Sequence, residues 1–232
     1  MESVSGVGVV DKSVWLLEAL AERGALSLAE LVEATDIARP TAHRLLVALE
    51  AHGIVGRDDR GRFELGARVA AWGSRARRSQ PVVQHAAPVL RALREATGES
   101  AQLYVRDGDR RVCVAIAERP SGLRDTVPLG ARLPLTAGSG AKVLLAWGDA
   151  ERPEGIAEAT LAAVRRRGWA ESVAEREPGV ASVSAPVRDG SGAVVAAVSV
   201  SGPVDRLGRK PGARFSRDVL AAAGTLEHLI SP

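Results

Sequence analysis

Three short helical segments near the start of the chain are separated by residues that begin or end helices, and this punctuation is the strongest constraint on the fold. The first predicted helix covers Asp11 to Arg23, with apolar side chains on one face, and Gly24 ends it. The segment Ser27–Glu30 is a capping box, in which a hydroxyl and a carboxylate each satisfy a free amide at a helix start. Pro40 suits the first turn of a third helix, and Gly53 ends that helix.

The second and third helices, joined by a tight turn at 35–38, form a helix-turn-helix pattern. The first residues of the second helix in such a motif contact base edges and phosphates in the major groove. Two short strand patterns follow, at 54–57 and 62–65, around a loop that ends in Arg-Gly, which is a hairpin signal. The pattern predicts a winged helix-turn-helix, and a three-helix bundle with a hairpin and no DNA role is the alternative. The residues predicted to contact DNA are Arg39, Pro40, Thr41, His43, Arg44, Arg57, Arg60 and Arg62.

The distribution of charge agrees with this prediction. The net charge of the chain is only +3, which says little about nucleic acid. Residues 1–38 contain two basic residues against seven acidic ones, whereas residues 39–79 contain nine arginines against four acidic residues. Positive charge therefore begins where the DNA-facing elements are predicted, although an ordinary solvated surface would explain the charge alone equally well.

A helix-compatible segment, 66–78, follows the predicted wing, and Trp72 in it could pack against a second copy or within the chain. We predict a winged helix-turn-helix domain at residues 1–66, a linker helix at 67–80 and a second domain at 81–232. The second domain alternates helical and strand patterns, so we predict an α+β fold. Its predicted helices cover 82–97, 142–147, 161–167 and 215–230, and its predicted strands cover 100–106, 111–118, 123–127, 180–188 and 193–201.

Several function classes are disfavoured. The histidines show no metal-ligand spacing, and no nucleophile elbow, P-loop or HExxH motif occurs, so we predict no metal site, no catalytic residues and no enzyme activity. The single cysteine, Cys113, cannot form an internal disulfide, and as part of an apolar strand it is expected to be a buried, inert thiol. With no apolar run of about 20 residues and no signal-peptide pattern, a cytoplasmic protein without membrane association is expected.

Specific blocks of the sequence resemble the isocitrate-lyase-regulator (IclR) family nearly end to end. The blocks are Gly8–Lys12, Arg39–Leu46, Phe63–Gly66, Leu133–Ala137 with Lys142, Glu177–Ala181, Ala185–Val187 and Val198–Pro203. The segments 100–104, 122–128 and 175–187 are similar to the actinobacterial NdgR-type regulators of leucine and other amino-acid biosynthesis. The resemblance implies a transcriptional regulator that binds double-stranded operator DNA as a homodimer or homotetramer.

The resemblance also implies a GAF-like second domain that binds a small, often anionic effector, with no other cofactor. The family's pocket positions correspond to Ser172, Ser182, Ser199 and Ser201, whose hydroxyls suit an amino acid or a 2-keto or 2-hydroxy acid. The family often has an acid or a cysteine in place of Ser172 and Ser182. The turn Gly138-Ser139-Gly140-Ala141 would offer backbone amides to a carboxylate at a helix start.

Three alternatives are kept open. Each pocket serine could instead be an ordinary strand hydroxyl with its hydrogen bonds satisfied. The whole chain could be a DNA-binding scaffold that responds to no metabolite. The GAF-like domain could also be an enzyme tethered to DNA, although no catalytic constellation supports that interpretation.

Overall fold

The computed structural model describes residues 5–78, 80–125, 127–147 and 155–231. The chain divides into two compact units, Met1–Ser79 and Gln80–Pro232. Within the described residues, no helix combines the length and the apolar character that crossing a bilayer would need.

The first unit contains three helices, a two-stranded hairpin and a fourth helix. Its buried centre is formed by Leu16, Leu20, Leu31, Leu46 and Phe63, which come from all three leading helices and the hairpin. The elements are α1 (Gly8–Arg23), α2 (Leu28–Thr35), α3 (Arg39–Ala51), β1 (Val55–Arg57), β2 (Phe63–Leu65) and α4 (Ala67–Arg78).

The predicted helix boundaries of this unit are confirmed to within a few residues, because the sequence signals act as expected. The Ser27 hydroxyl accepts the Glu30 backbone N–H at 3.3 Å, and the Glu30 carboxylate accepts the Ser27 N–H at 2.7 Å. Asp36 ends α2 in the left-handed conformation, with a φ of 54°. This turn allows α3 to start at Arg39, with Pro40 in its first turn.

A residue outside the two strands also pairs with the hairpin, and the sequence patterns did not predict this pairing. Leu26, in the connection between α1 and α2, pairs with Phe63 of β2 through two backbone hydrogen bonds of 2.9 and 2.8 Å. This pairing covers one edge of the hairpin and joins it to the helices.

The second unit is built on one six-stranded antiparallel sheet with the order β5-β4-β3-β8-β7-β6. Helices lie on both faces, and this mixture of helices and an antiparallel sheet confirms the predicted α+β class. The strands are β3 (Ser100–Asp107), β4 (Arg110–Ala117), β5 (Arg132–Pro134), β6 (Ala170–Val173), β7 (Val180–Arg188) and β8 (Val194–Pro203). The helices are α5 (Pro81–Thr97), α6 (Ser139–Ala146), α7 (Glu158–Arg167), α8 (Val204–Leu207) and α9 (Pro211–Ile230).

The two faces of this sheet differ in chemistry. One face carries Leu103, Val183, Val198 and Val200, which pack against α5 and α9 in an apolar core. The opposite face lies against α6 and α7 and includes Tyr104. Because strand side chains alternate, the polar residues between these apolar positions all point to the α6 side.

The predicted strand at 123–127 is wrong for its described residues. Leu123 and Asp125 lie outside any strand, and residue 126 falls outside the part that the structure describes. Leu123 is 74% exposed, and the Asp125 carboxylate forms an ion pair with Arg176 at 2.9 Å. The edge of the sheet is formed instead by β5, which begins at Arg132.

Candidate functional site

The α3 helix of the first unit presents a polar face to solvent. Arg39, Pro40, His43 and Arg44 are exposed and Thr41 is half-buried. The side chains of Arg39, His43 and Arg44 form no hydrogen bond or ion pair within the described ranges. The opposite face of α3 packs in the core, so the helix is anchored while its first two turns stay accessible.

The three wing arginines are not equivalent. Arg57 forms a bidentate ion pair with Glu50 of α3, with N–O distances of 2.9 and 3.2 Å, and its guanidinium lies 4.2 Å from the centre of the Phe63 ring. Arg62 pairs with Asp58 at 2.8 Å. Arg60 lies at the tip of the loop, and its guanidinium pairs with no carboxylate of the described chain. Arg57 and Arg62 were predicted to lie along a phosphate backbone, but in this structure both are held by carboxylates of their own chain.

On the α6 side of the large sheet, polar side chains form two rows across neighbouring strands. The first row is Ser100, Ser201, Ser182 and Ser172, which pair in sequence across β3, β8, β7 and β6. The second row is Gln102, Ser199 and Ser184 across β3, β8 and β7. The four predicted pocket serines thus come together on one face, and the rows add residues that the prediction missed.

Helix α6 starts directly over these rows. The Ser139 hydroxyl donates to Ser182 Oγ at 2.7 Å and lies 2.7 Å from Ser184 Oγ, which is also hydrogen bonded to Ser199. Gly140 lies close to the same residues, since a Cβ there would be in ordinary contact with Ser199 Oγ at 3.6 Å and with the Tyr104 ring at 3.4 Å. The hydroxyl chain joins the start of α6 to β7 and β8.

The backbone amide of Gly138, at the start of α6, already has a hydrogen-bond acceptor within the chain. The Gly138 N–H donates to the Glu175 carboxylate at 3.3 Å, and Lys142 Nζ lies 2.5 Å from the other Glu175 oxygen. Lys142 also donates to the Glu171 backbone oxygen at 2.8 Å. The prediction that the Gly138 amide is free for a ligand is therefore wrong, since a carboxylate of the chain itself accepts from it.

A cavity of about 30 Å³ lies between the polar rows and α6. This is space for about two water molecules, so it fits the polar head of a small molecule. Seven of the eight predicted effector residues line it, and the eighth, Ala141, packs in the apolar core beside α6. The lining residues are Gln102, Tyr104, Arg111, Asp125, Gly138, Ser139, Gly140, Ser172, Arg176, Glu177, Val180, Ser182, Ser199 and Ser201.

The most informative residue that the sequence patterns missed is Arg111, on β4. Its residue surface is only 3% exposed, and burial lowers the pKa of its guanidinium from the usual value. Nη1 donates to the backbone oxygens of Pro134 at 2.5 Å and Ala137 at 3.0 Å, which ties the loop before α6 to the sheet. Only alternation with Cys113 along the strand could have placed Arg111 on this face.

Other titratable groups near the cavity are shifted by burial. Burial raises the pKa of the Cys113 thiol to about 12, and it also raises the pKa of the Tyr104 phenol. Both side chains are therefore neutral near pH 7. Within the described ranges, no group of three or more histidine, cysteine or acidic side chains is arranged to hold a metal ion.

Comparison with known proteins agrees with this geometry. The model of the IclR helix-turn-helix domain matches residues 9–59, and the model of the bacterial transcriptional regulator IclR C-terminal domain matches residues 75–160 and 156–228. The HTH-type transcriptional regulator BhcR of Paracoccus denitrificans is 31% identical, over 100% of this chain and 90% of that protein. The glycerol operon regulatory protein of Streptomyces griseus is 31% identical, over 78% and 79%.

Among solved structures, an IclR homologue from Microbacterium hydrocarbonoxydans complexed with 4-hydroxybenzoate shares the fold. It superposes with a TM-score of 0.78, at 21% identity, and the match covers 96% of this chain and 98% of that one. The matching models together cover most of the sequence, and the N-terminal one is a helix-turn-helix. The chain belongs to the IclR family and is a DNA-binding transcriptional regulator.

Proposed function

We propose that a small metabolite bound in the cavity beside α6 controls the affinity of this regulator for its operator. The DNA-binding domain would comprise residues 1–66, the linker helix 67–80 and the effector domain 81–232. In this proposal the exposed start of α3, with Arg39, Thr41, His43 and Arg44, enters the major groove, and Arg60 at the tip of the wing contacts a phosphate.

The cavity is the observation that carries the proposal. It is lined by hydroxyls from two cross-strand rows and closed by the start of α6. A sheet that needed only a stable core would fill this space with apolar side chains, because buried polar groups contribute little net stability. The IclR homologue from Microbacterium hydrocarbonoxydans is complexed with 4-hydroxybenzoate, which supports control of this regulator by a small molecule.

The regulator is proposed to act as a homodimer or homotetramer. Two recognition helices must reach half-sites about 34 Å apart, and one copy supplies one such helix. An effector that binds more tightly to the conformation with one spacing of the two helices shifts the population toward that conformation.

The narrower predictions, an NdgR-type regulator and control of amino-acid or leucine biosynthesis, remain predictions. The relative from Streptomyces griseus is named for a glycerol operon, which gives this narrower assignment no support. A cavity of about 30 Å³ also favours an acid smaller than leucine.

A thermal-shift screen tests the proposal. The full-length protein is melted with a panel of amino acids, 2-keto acids and 2-hydroxy acids, with and without its own upstream promoter DNA. A ligand that binds only the native state raises the melting temperature. We expect a selective shift that Ser199→Ala removes, whereas stabilisation by DNA with no response to any acid would identify a scaffold that senses no metabolite.

A further inference from the structure

Arg111 is a buried cation without a counter-charge. Among the described residues it forms no ion pair: the two acidic residues that line the same cavity, Asp125 and Glu177, both pair with Arg176, at 2.9 and 3.2 Å. Burying an unpaired charge is costly, so an anion that enters the cavity and pairs with Arg111 would remove this cost.

One edge of the Arg111 guanidinium has no hydrogen-bond acceptor among the described residues. Nη1 is used by the two loop carbonyls of Pro134 and Ala137, whereas Nε is buried and has no hydrogen-bond partner in the described structure. Nη2 lies beside Gly138, where an added Cβ would be 3.1 Å from it. Nε and Nη2 together form the side of a guanidinium that binds a carboxylate through two parallel hydrogen bonds.

A second unsatisfied group lines the same cavity. The Gln102 side chain is fully buried, and its Nε2 donates to Ser201 Oγ at 2.9 Å. Its Oε1 atom has no partner in the described part of the chain. Each buried polar atom left without a hydrogen bond destabilises the protein, so a ligand that donates to Oε1 would remove this cost.

We propose that the effector is a small 2-hydroxy carboxylic acid, whose carboxylate accepts hydrogen bonds from the Nε and Nη2 edge of Arg111 and whose hydroxyl donates to Gln102 Oε1. This proposal rests on the proposed function, because it assigns the chemistry of the same cavity. A 2-keto acid has no donor for Gln102. A 2-amino acid has a donor but places a second positive charge beside the buried guanidinium.

The test compares three probes on the full-length protein by isothermal titration calorimetry: glycolate, acetate and glycolamide. Acetate lacks the hydroxyl and glycolamide lacks the charge. We expect glycolate to bind most tightly, with a loss of about tenfold or more for each of the other two. Acetate leaves Gln102 Oε1 without a donor, and glycolamide lacks the charge that strengthens the hydrogen bonds to Arg111.

Variants separate ligand binding from a purely structural role of Arg111 in holding the loop. Gln102→Glu leaves Arg111 and its loop contacts in place but supplies the missing counter-charge, so we expect glycolate binding to fall about tenfold or more while the melting temperature stays the same or rises. Arg111→Gln removes the cation directly. Arg110→Gln is the matched control, since it removes an exposed arginine from the same strand and should leave binding unchanged.

The outcomes are decisive and separable from those of the proposed function. Glycolate binding that survives in wild type and Arg110→Gln but is lost in Gln102→Glu supports the proposal. The proposal is overturned if glycolate does not bind, binds no more tightly than acetate or glycolamide, or binds Gln102→Glu as well as wild type. If glycolate binds through Arg111 but leaves promoter affinity unchanged, the ligand assignment stands and the proposed control of DNA binding fails.

Discussion

Arg57 of the wing is held by Glu50 of the recognition helix through two hydrogen bonds of 2.9 and 3.2 Å. Both side chains are about one-third exposed or more, so this ion pair contributes little stability. Its consequence is electrostatic, because the carboxylate neutralises an arginine on the surface proposed to face DNA.

Releasing this arginine should strengthen DNA binding. Glu50→Gln removes the carboxylate and leaves Arg57 free to contact a phosphate. We expect tighter binding to promoter DNA and a plot of log affinity against log salt that is steeper by about one unit, as one more phosphate contact predicts. Fluorescence anisotropy at several salt concentrations measures this slope.

Glu64→Gln is the matched control for that experiment. Glu64 is exposed on β2, carries the same charge and forms no ion pair within the described ranges. If both variants change the salt slope equally, the effect is one of net charge, and the Glu50–Arg57 pair does not limit DNA contact.

Gly66 packs against the turn that ends the recognition helix. A Cβ at Gly66 would lie 2.2 Å from the backbone oxygen of Gly53 and 2.8 Å from its carbonyl carbon. Because backbone atoms cannot move aside cheaply, Gly66→Ala should destabilise the first unit by about 1–3 kcal/mol. Native-state hydrogen exchange of the α3 amides measures this change.

The control for Gly66 lies in the next helix. A Cβ at Gly73, inside α4, would meet no atom within 4 Å. Gly73→Ala should therefore leave α3 unchanged and stabilise α4 by up to about 1 kcal/mol, since alanine favours a helix interior. Equal exchange rates for α3 in both variants would show that the Gly53–Gly66 contact is not tight.

The capping box should make α2 sensitive to acid. The backbone and hydroxyl hydrogen bonds from Ser27 lower the pKa of Glu30 from 4.5. A lowered folded-state pKa means that the stabilisation is complete above pH 4.5 and is lost as the pH falls through the folded value. Exchange of the α2 amides should therefore accelerate below pH 4.5 relative to the α3 amides, after correction for intrinsic rates.

Glu30→Gln supplies the comparison for the capping box. The glutamine keeps a hydrogen-bond acceptor but does not titrate, so the extra acid sensitivity of α2 should disappear in this variant. The same acid sensitivity in Glu30→Gln would assign the effect to another group.

Cys113 should be inert in the native protein. It is fully buried on β4, and burial raises its thiol pKa to about 12, so the reactive thiolate is nearly absent at neutral pH. We expect no reaction with a thiol reagent such as DTNB until the protein is unfolded. Rapid labelling of the folded protein would show that the strand opens and would leave a redox role to be considered.

Local signals explain why most of the first unit was predictable. Ser27, Gly24, Gly53 and Pro40 act through the backbone within a few residues, so sequence alone places the helix boundaries. The Leu26–Phe63 pairing joins segments far apart in sequence, and nothing local indicates it.

The residues of the cavity also divide into those that local sequence patterns place and those that only long-range contacts place. The alternation of Ser199 and Ser201 predicts that both lie on one face, which the strand pairing confirms. Gln102 and Arg111 come next to these serines only through the strand order, which a single sequence does not reveal. The Glu175 carboxylate at the start of α6 is another long-range contact, and for that reason the Gly138 amide was wrongly predicted to be free.

The most direct test of the account is the affinity of the full-length protein for labelled upstream promoter DNA, measured by anisotropy with and without the acid that gives the largest thermal shift. We predict at least about a fivefold change in wild type, a size typical of coupling between two sites, and no change in Ser199→Ala. By reciprocity, the DNA should change the affinity for the acid by the same factor. An affinity for DNA that stays constant while the cavity is saturated would contradict the account.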